Sequence, residues 1–509
     1  MNARTKGRRS AARLSWGDGS ATCGKGARNC RAALRGRSRN VPVSVPADPR
    51  TAGSSPPPYA LRSPECARMR GAGARYARPL ARRVTCHLGP AVPRGTAAWG
   101  PARMQTLLPA QRAFLFLGFA SALFVGIPDT MIAIYYVRVV GLGPLELVLL
   151  GTIVELVTIV FEIPTGVVAD LYSRRLSVLV GIFLAGASFV IQGMAPILLA
   201  IAFAEVLRGL GRTFSSGALE AWIADEIGER EAAAAYIRYA QVRQIGAILG
   251  TAIGVGLASI DLWIPIVTGG ALMIGLGFLM IALMPERGFR RGHRAALSPV
   301  RGAITTLSAG LSAIRGRAIL ATLIGLTLIL ALATEGLDRL WEAHLLRHFT
   351  IPDLGGLDPI VWFGAINITF MVLGVAANQI VRHVVTVTDD VAVARAMMVA
   401  TVLQIAGIVT FGLATDFGWA VAGYLAHMVF RGVNGPLFTG FVNRHVESRV
   451  RATVLSLAGQ VNAVGQVTGG PLIGTIAELT SLRVAMVAVG GTLLPALPLL
   501  LRARRQAGS

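Results

Sequence analysis

The chain has 509 residues, of which 53% are hydrophobic and only 15% are charged. Soluble domains carry roughly 25% charged residues, so the main body is not a disordered, fibrous or small secreted protein, and a membrane protein with several spans is indicated. The formal net charge of +23 is concentrated at the start, because residues 1–103 hold 21 Lys and Arg against 3 Asp and Glu. All four cysteines lie in that segment too, which excludes disulfides and thiolate metal sites from the remainder.

Residues 1–103 form a tail that is rich in Arg, Gly, Ala and Pro and has no sustained apolar period. Such a composition cannot bury enough apolar surface to offset the entropy of ordering the backbone, so we expect a disordered tail. Three interpretations are open: an organelle transit peptide, a basic arm for nucleic acid or anionic lipid, and a translated upstream region with the working start at Met104. The sharp change in composition at Met104 favours the last, and no nucleic-acid partner is expected.

From Phe114 onward, apolar stretches of about 20 residues recur, which is the length at which a helix crosses ~30 Å of hydrocarbon. The sequence therefore predicts an N-terminal six-helix bundle (104–284), a cytoplasmic linker (285–316) and a C-terminal six-helix bundle (317–509). Spans 1 to 12 are predicted at 112–137, 144–171, 175–195, 197–221, 234–258, 262–284, 317–341, 360–382, 393–413, 417–442, 453–477 and 483–502.

Arginine is distributed unequally between the two sides of such a bundle. If the N-terminus is cytoplasmic, that side holds nineteen arginines, whereas the other side holds only Arg138, Arg339, Arg347 and Arg483. Because cytoplasmic connections carry the excess of Lys and Arg, both termini are predicted to be cytoplasmic.

The two halves of this body repeat each other. The segment 166–174 after span 2 matches 374–382 after span 8 at an offset of 208 residues, with an asparagine in place of the aspartate. Arg208 of span 4 matches Arg431 of span 10 at an offset of 223, and span 5 matches span 11 at an offset of 219. Two six-helix bundles related by a pseudo-two-fold axis predict an alternating-access transporter, with its site between the halves.

The motif after span 2 also identifies a family. The segment Glu162-Ile-Pro-Thr-Gly166-Val-Val-Ala-Asp170-Leu-Tyr-Ser-Arg174-Arg175 resembles the loop 2–3 signature of the major facilitator superfamily. With the twelve spans and the central linker, the resemblance covers residues 104–509. The E-x-P-T-G-x-x-A-D form is similar to that of the 12-span proton-driven drug exporters.

In that family the motif bridges the two halves on the cytoplasmic side, so the resemblance implies a gate and not a substrate contact. Gly166 would let the end of span 2 approach a neighbouring helix closely, and Asp170 would pair with a loop arginine. The alternative is an ordinary turn on the positive side of the membrane. The expected gate residues are Gly166, Asp170, Arg174, Arg175 and Arg230.

Charges at bilayer depth cost several kcal/mol unless they are paired or hydrated, so each is a functional candidate. Asp129, after Pro128 in span 1, is the first candidate for a carboxylate that alternates between a proton and a cationic substrate, and Glu155 of span 2 is the second. Glu205 and Arg208 share one face of span 4, and the family links a span 4 arginine followed by glycine to proton coupling. The alternatives are an interfacial Asp129 and a Glu205–Arg208 pair that only satisfies itself.

Span 7 is predicted to end in a charged stripe that either lines the outward vestibule or is a solvated helix end. The stripe consists of Glu335, Asp338, Arg339 and Glu342. Within it, Glu335 and Asp338 are further candidates for the substrate and proton site. Arg431 of span 10 has no acid beside it, so its partner would come from another helix or from the substrate. His344 and His348 lack a third ligand nearby, so no metal site is predicted.

These patterns predict proton-coupled efflux of a small amphipathic molecule, such as a drug or toxin. A proton-coupled importer of a small metabolite on the same fold is the alternative, and Thr251 leaves the direction open because exporters often carry a proline there. No phosphate-binding G-x-x-x-x-G-K-[ST] or hydrolase motif occurs, so no enzyme activity, ATP use or cofactor is predicted. The resemblance further implies a multi-pass protein of the bacterial inner membrane that works as a monomer, with protons and a small molecule as partners.

Overall fold

A computed structural model describes residues 109–289, 318–386, 389–446 and 448–507, in which every regular element is a helix. The predicted tail and the part of the predicted linker from residue 290 to 316 lie outside the described residues. The helices of the described ranges are Pro109–Tyr135 with a π-turn at Tyr136–Val140 (span 1), Pro144–Leu171 (span 2), Arg174–Met194 (span 3), Leu198–Ser215 with Ala218–Ile227 (span 4), Glu229–Ala258 (span 5), Trp263–Leu283 (span 6), Ala318–His348 (span 7), Ile360–Val384 (span 8), Asp390–Leu413 (span 9), Phe417–His445 (span 10), Ser448–Leu479 (span 11), and Leu482–Leu493 with Ala496–Ala507 (span 12).

Local sequence explains where several of these helices begin. The Ser173 hydroxyl accepts from the Leu176 amide at 2.9 Å at the start of span 3, and the Asp416 carboxylate accepts from the Trp419 amide at 3.0 Å at the start of span 10. Each side chain thereby satisfies an amide that has no partner in the first helical turn. Span 4 divides at Gly217, whose φ of 71° lies in the left-handed region that glycine adopts readily.

By length and hydropathy alone, eight helices in the described part of the chain qualify to cross a membrane. The other four spans (4, 5, 10 and 11) carry more polar residues, as span 4 does with Glu205, Arg208 and Arg212. Their polarity fits helices that face the interior of a bundle and not lipid. The predicted all-α fold of two six-helix bundles is confirmed.

The pseudo-two-fold relation is visible in how the helices pack. Span 5 lies along span 1, and span 11 lies along span 7 in the equivalent way. Gly250 and Gly254 face backbone carbonyls of span 1, and Gly469 faces the backbone of span 7, so closely that a Cβ would collide. Helices approach to this distance only where the facing residues are small.

The two ends of the bundle differ in their apolar cores. We call the end at which span 1 begins and span 12 finishes the arginine-rich end. At the opposite end a single buried cluster draws on both halves, including Tyr135 of span 1, Leu340 of span 7 and Phe363 of span 8. At the arginine-rich end one cluster, around Trp222, belongs to the N-terminal half and another, around Phe441, to the C-terminal half. The halves are thus joined at the opposite end and have separate cores at the arginine-rich end.

Span 7 departs from its predicted length. It continues to His348, beyond the predicted end at residue 341, because Ala343, His344 and Leu345 are buried in the shared cluster and keep the chain helical. The charged stripe is therefore inside the helix, and the interpretation of a solvated helix end is wrong.

Candidate functional site

The charged residues of spans 1, 2, 4, 7 and 10 converge on the space between the two halves. A cavity of about 140 Å³ in this space is lined by spans 2, 4 and 11, and its walls include Glu155, Glu162, Arg212 and Asn462. Polar residues from both halves thus meet where the halves separate.

Glu205 is the most deeply buried acid of this group, with no exposed surface. Its carboxylate accepts from Arg208 Nε at 2.6 Å, from Tyr136 Oη at 3.3 Å and from Gln192 Nε2 at 3.2 Å. Spans 1, 3 and 4 each contribute one donor, so the charge is compensated as its burial requires.

This cluster allows a prediction about stability. Replacing Glu205 with leucine leaves the Arg208 charge uncompensated and the polar groups of Tyr136 and Gln192 without their acceptor. Loss of one partner of a buried ion pair costs about 3–5 kcal/mol, so we expect a clear fall in the thermal unfolding midpoint of the purified protein. The matched control is Glu205→Gln, which keeps acceptor atoms and should lose much less. Equal midpoints for Glu205→Leu and the wild type would contradict this assignment.

Glu155, the second predicted carboxylate, pairs with Arg212 of span 4. Arg212 Nη1 lies 2.6 Å from Glu155 Oε1, and the Glu155 side chain is 7% exposed whereas that of Arg212 is 54% exposed. Sequence reasoning missed Arg212, although its place four residues after Arg208 puts it on the same face of span 4.

Two further ion pairs involve span 7. Arg339 donates to Glu335 at 2.9 Å, and Glu335 lies against Gly151 of span 2 in the other half. Asp338 receives both Nη atoms of Arg431, with a 2.9 Å contact between Arg431 Nη2 and Asp338 Oδ2. Arg431 therefore takes its partner from another helix of its own half, in the fork-to-carboxylate geometry that gives the strongest pairs.

Glu162 is outside these pairs and accepts from Gln460 Nε2 of span 11 at 3.2 Å. Two further acids of the group also lack an ion pair within the described ranges. Asp129 is exposed to the space between the halves and forms no ion pair with a described residue, although Arg208 and Arg339 are near enough to act on it electrostatically. Glu342 is 5% exposed, and its Oε2 has no hydrogen-bond partner among the described atoms. Sequence reasoning placed Glu342 on the stripe of span 7 without selecting it as a site residue.

The repeat explains what is unusual about Asp129. Asp129 and Asp338 are 209 residues apart and occupy equivalent positions in spans 1 and 7, and each is followed nine residues later by an arginine. In the C-terminal half Asp338 pairs with Arg431, whereas in the N-terminal half the equivalent arginine, Arg208, pairs with Glu205. Asp129 is thus an acid whose symmetry-equivalent arginine is held by another carboxylate. The offset of 209 residues between the two aspartates is the sequence signal of this equivalence.

The predicted gate residues lie at the arginine-rich end. Arg174 Nη2 is 3.6 Å from Asp170 Oδ1, and Arg174 also pairs with Asp225 of the second helix of span 4. The Arg175 amide donates to Glu286 at 3.1 Å, beyond the end of span 6. None of these contacts of Arg174 and Arg175 reaches the C-terminal half.

The expectation of a close helix approach at Gly166 is wrong for this conformation. A Cβ added at Gly166 would meet no atom within 4 Å. The physical reason is that the two halves have separate cores at this end. Arg230 is exposed and forms no ion pair with another described residue. A gating role for these residues stays a prediction.

At the opposite end, hydrogen bonds join the two halves directly. Asn367 of span 8 donates to Thr130 of span 1 at 2.7 Å, and Arg347 of span 7 donates to the Leu142 carbonyl at 2.9 Å. These bonds add to the shared apolar cluster at this end and fix the halves against each other there.

The histidine pair of span 7 lies near this junction. His344 Nε2 is 3.2 Å from the Phe411 carbonyl, and the His344 and His348 rings are 5.0 Å apart. In the described ranges, no group of three or more potential ligands could hold a metal ion.

Comparisons of the sequence with known proteins relate the chain to a family of membrane transporters. Residues 114–388 match the family model described as the Major Facilitator Superfamily. The chain is 21% identical over 358 residues to an uncharacterized MFS-type transporter, YxaM, of Bacillus subtilis (strain 168), which covers 69% of this chain and 85% of that protein.

Solved structures show the same fold. A structure of the nucleoside transporter NupG superposes with a TM-score of 0.63 at 12% identity, covering 78% of this chain and 99% of that one. A bacterial homologue of the human lysosomal transporter Spinster, in an inward-facing and unoccupied conformation, gives a TM-score of 0.60 at 16% identity, with 78% and 96% covered. At these identities the likeness concerns the fold alone.

Proposed function

The chain belongs to the Major Facilitator Superfamily, and from that premise we propose that it exports a small amphipathic cation in exchange for protons. Membership makes it a secondary transporter and an integral, multi-pass membrane protein. The substrate class, the direction and the proton coupling are our proposal, as is transport without any enzymatic step or cofactor.

The observation that carries the proposal is the balance of charge between the halves. Each of the four arginines there has its own carboxylate: Glu205–Arg208, Glu155–Arg212, Glu335–Arg339 and Asp338–Arg431. Asp129, Glu162 and Glu342 are in excess of these pairs, so the site has surplus negative charge. A site with surplus acid attracts a cation or a proton, and Asp129 is an exposed surplus acid with arginines of both halves near it.

Coupling follows if Arg208 can change its partner. Equivalence with the Asp338–Arg431 pair indicates that Arg208 can reach Asp129 in another state of the cycle, once Glu205 releases it. A proton or a cationic solute at Asp129 would compete with Arg208 for the same carboxylate. Solute and proton then exclude each other at one residue, which links their fluxes.

The side on which the halves separate is the side from which an exporter would load and an importer would release, so this conformation fits export without selecting it. The separate cores lie at the arginine-rich end, which the arginine distribution predicts to be cytoplasmic. An exporter loads its solute from that side. We accordingly place the protein in the bacterial inner membrane with both termini in the cytoplasm, and expect the monomer to be the working unit because both halves of the site come from one chain.

An importer of a small anionic or zwitterionic metabolite is the second candidate, and the four arginines favour it. A guanidinium that leaves its carboxylate could bind a substrate carboxylate or phosphate in the same fork geometry. Such a solute would compete with the acids for the arginines and would not displace a proton from Asp129.

Flux in proteoliposomes separates these functions. Purified protein would be reconstituted in one orientation, and uptake of cationic dyes, antibiotics, sugars and organic acids measured with and without a pH difference. The proposal predicts that a cationic solute moves against its gradient when protons move the other way. The pH inside the vesicles should change accordingly. Accumulation of an organic acid along with protons would support the importer instead, and flux without any dependence on the pH difference would refute both.

The gate offers a separate test through Gly166. A Cβ at Gly166 meets open space in this conformation, so we expect leucine to be accommodated here but to obstruct any state in which the arginine-rich end closes. Over-packing typically costs ~1–3 kcal/mol, so Gly166→Leu should keep its thermal midpoint while transport falls about tenfold. Gly275→Leu, on span 6 and equally unobstructed, is the matched control and should transport normally. Normal transport by Gly166→Leu would mean that the motif forms only a turn.

A further inference from the structure

A groove on the C-terminal half lies outside the site between the halves. It encloses about 640 Å³ near the arginine-rich end, and its walls come from spans 8, 9 and 10. The lining is apolar, as with Ile380, Val384, Val399 and Phe430, except for one charged residue, Arg395. Ile380, Val384 and Val399 are 63%, 76% and 52% exposed, so nothing in the described part of the chain covers them.

The groove exists because spans 8 and 9 are held apart. Span 10 packs against both of them, while they make little contact with each other. In the N-terminal half the equivalent spans 2 and 3 are joined by only two residues, whereas residues 385–389 separate spans 8 and 9. The shorter connection brings spans 2 and 3 together, and Thr165 of span 2 also donates to the Thr213 carbonyl of span 4 at 3.0 Å. Spans 2 and 3 are thus in closer contact than spans 8 and 9.

Positive charge lies at the rim of the groove. Arg395 is exposed on span 9 and forms no ion pair with another described residue. Arg382 and His383 are exposed in the last turn of span 8, at the same end. Val399 lies one helical turn deeper than Arg395 on the same face of span 9. The positive charge of Arg395 therefore lies nearer the arginine-rich end than the apolar part of the groove, at the level where a helix leaves the hydrocarbon.

We propose that this groove binds an anionic phospholipid from the leaflet at the arginine-rich end. One acyl chain lies between spans 8 and 9, and the phosphate contacts Arg395. The groove matches the two parts of such a lipid. Its apolar walls fit an acyl chain, and the Arg395 guanidinium at its rim fits an anionic headgroup. A zwitterionic phospholipid would fill the channel equally well but would gain less from the arginine.

Retention of lipid by the full-length protein tests this site. Native mass spectrometry would follow the protein after exchange into mixed micelles of phosphatidylglycerol and phosphatidylcholine. We expect one phosphatidylglycerol per chain, retained at least fivefold over phosphatidylcholine. Arg395→Gln should remove the preference, and Val399→Trp, which fills the channel, should remove the bound lipid. Arg238→Gln is the control, because Arg238 is exposed on span 5 at the same end, and it should retain lipid as the wild type does.

Val399 is exposed, so its replacement is not expected to disturb folding, and equal thermal midpoints of all variants would verify this. Equal retention of the two lipids by the wild type would overturn the proposal. So would a preference for phosphatidylglycerol that survives in both groove variants. Failure of the wild type to retain any lipid, as expected if a segment of protein fills the groove, would overturn it as well.

Discussion

Asp129→Asn is expected to abolish proton-driven accumulation of the solute while exchange down a solute gradient continues. The asparagine keeps the size of the side chain, but it can neither carry the proton nor attract a cation. Coupling free energies between two ligands are typically 1–3 kcal/mol, so the accumulation ratio should fall by roughly 5- to 150-fold. The measurement is uptake in proteoliposomes with an imposed pH difference, beside counterflow exchange without one.

Asp261→Asn is the matched control, because Asp261 is an exposed acid in the connection between spans 5 and 6. It should accumulate solute normally. Glu155→Gln should reduce coupling more weakly than Asp129→Asn, since Glu155 is already paired with Arg212, and Glu335→Gln should mainly alter affinity. If Asp129→Asn still concentrates solute with the pH dependence of the wild type, Asp129 is structural and the coupling carboxylate is Glu155 or Glu205.

Cross-linking the halves at the opposite end should stop transport altogether. Thr130 and Asn367 meet there through a 2.7 Å hydrogen bond between spans 1 and 8. In a chain whose four native cysteines are replaced by serine, Thr130→Cys with Asn367→Cys can be bridged by a short bifunctional thiol reagent. The bridged protein cannot reach a state in which the halves separate at this end, so we expect transport at the background level. With a reducible cross-linker, transport should return when the cross-link is reduced.

The matched control for the bridge lies within one half. The Phe183 and Phe278 rings pack 5.0 Å apart between spans 3 and 6, so Phe183→Cys with Phe278→Cys bridges helices that move together. This pair should transport normally when bridged. Normal transport by the bridged Thr130–Asn367 pair would show that the opposite end does not need to open.

Much of the fold could be predicted from the sequence, because each span is encoded by a local run of apolar residues. A run of about 20 apolar residues has few alternatives to a membrane helix, and the repeats then fix which spans correspond. Span 7 was predicted too short, because His344 and Glu342 reduce its apolar character although tertiary packing buries both. Span 4 was the reverse case, since a single glycine, Gly217, divides a helix that looks continuous in the sequence.

The site was predicted less completely, because the residues that pair in it are far apart in the sequence. Acids and arginines at membrane depth could be selected one by one from their cost of burial, which found Asp129, Glu155, Glu205, Arg208 and Arg431. Their pairing depends on which helices face each other across many residues of sequence, so the Asp338–Arg431 and Glu155–Arg212 pairs were not predictable from local spacing. The state of the gate is likewise a property of the conformation, and the open space at Gly166 could not be inferred from its motif.

The central claim is that the two ends of the bundle open alternately. Pulsed electron spin resonance can measure it with two label pairs at exposed positions: Tyr172 with Val384 at the arginine-rich end, and Val139 with Leu357 at the opposite end. On a shift of pH or addition of the transported solute, the account predicts that the Val139–Leu357 distance lengthens while the Tyr172–Val384 distance shortens. Distances that stay fixed at both ends, or that change in the same direction, would contradict it.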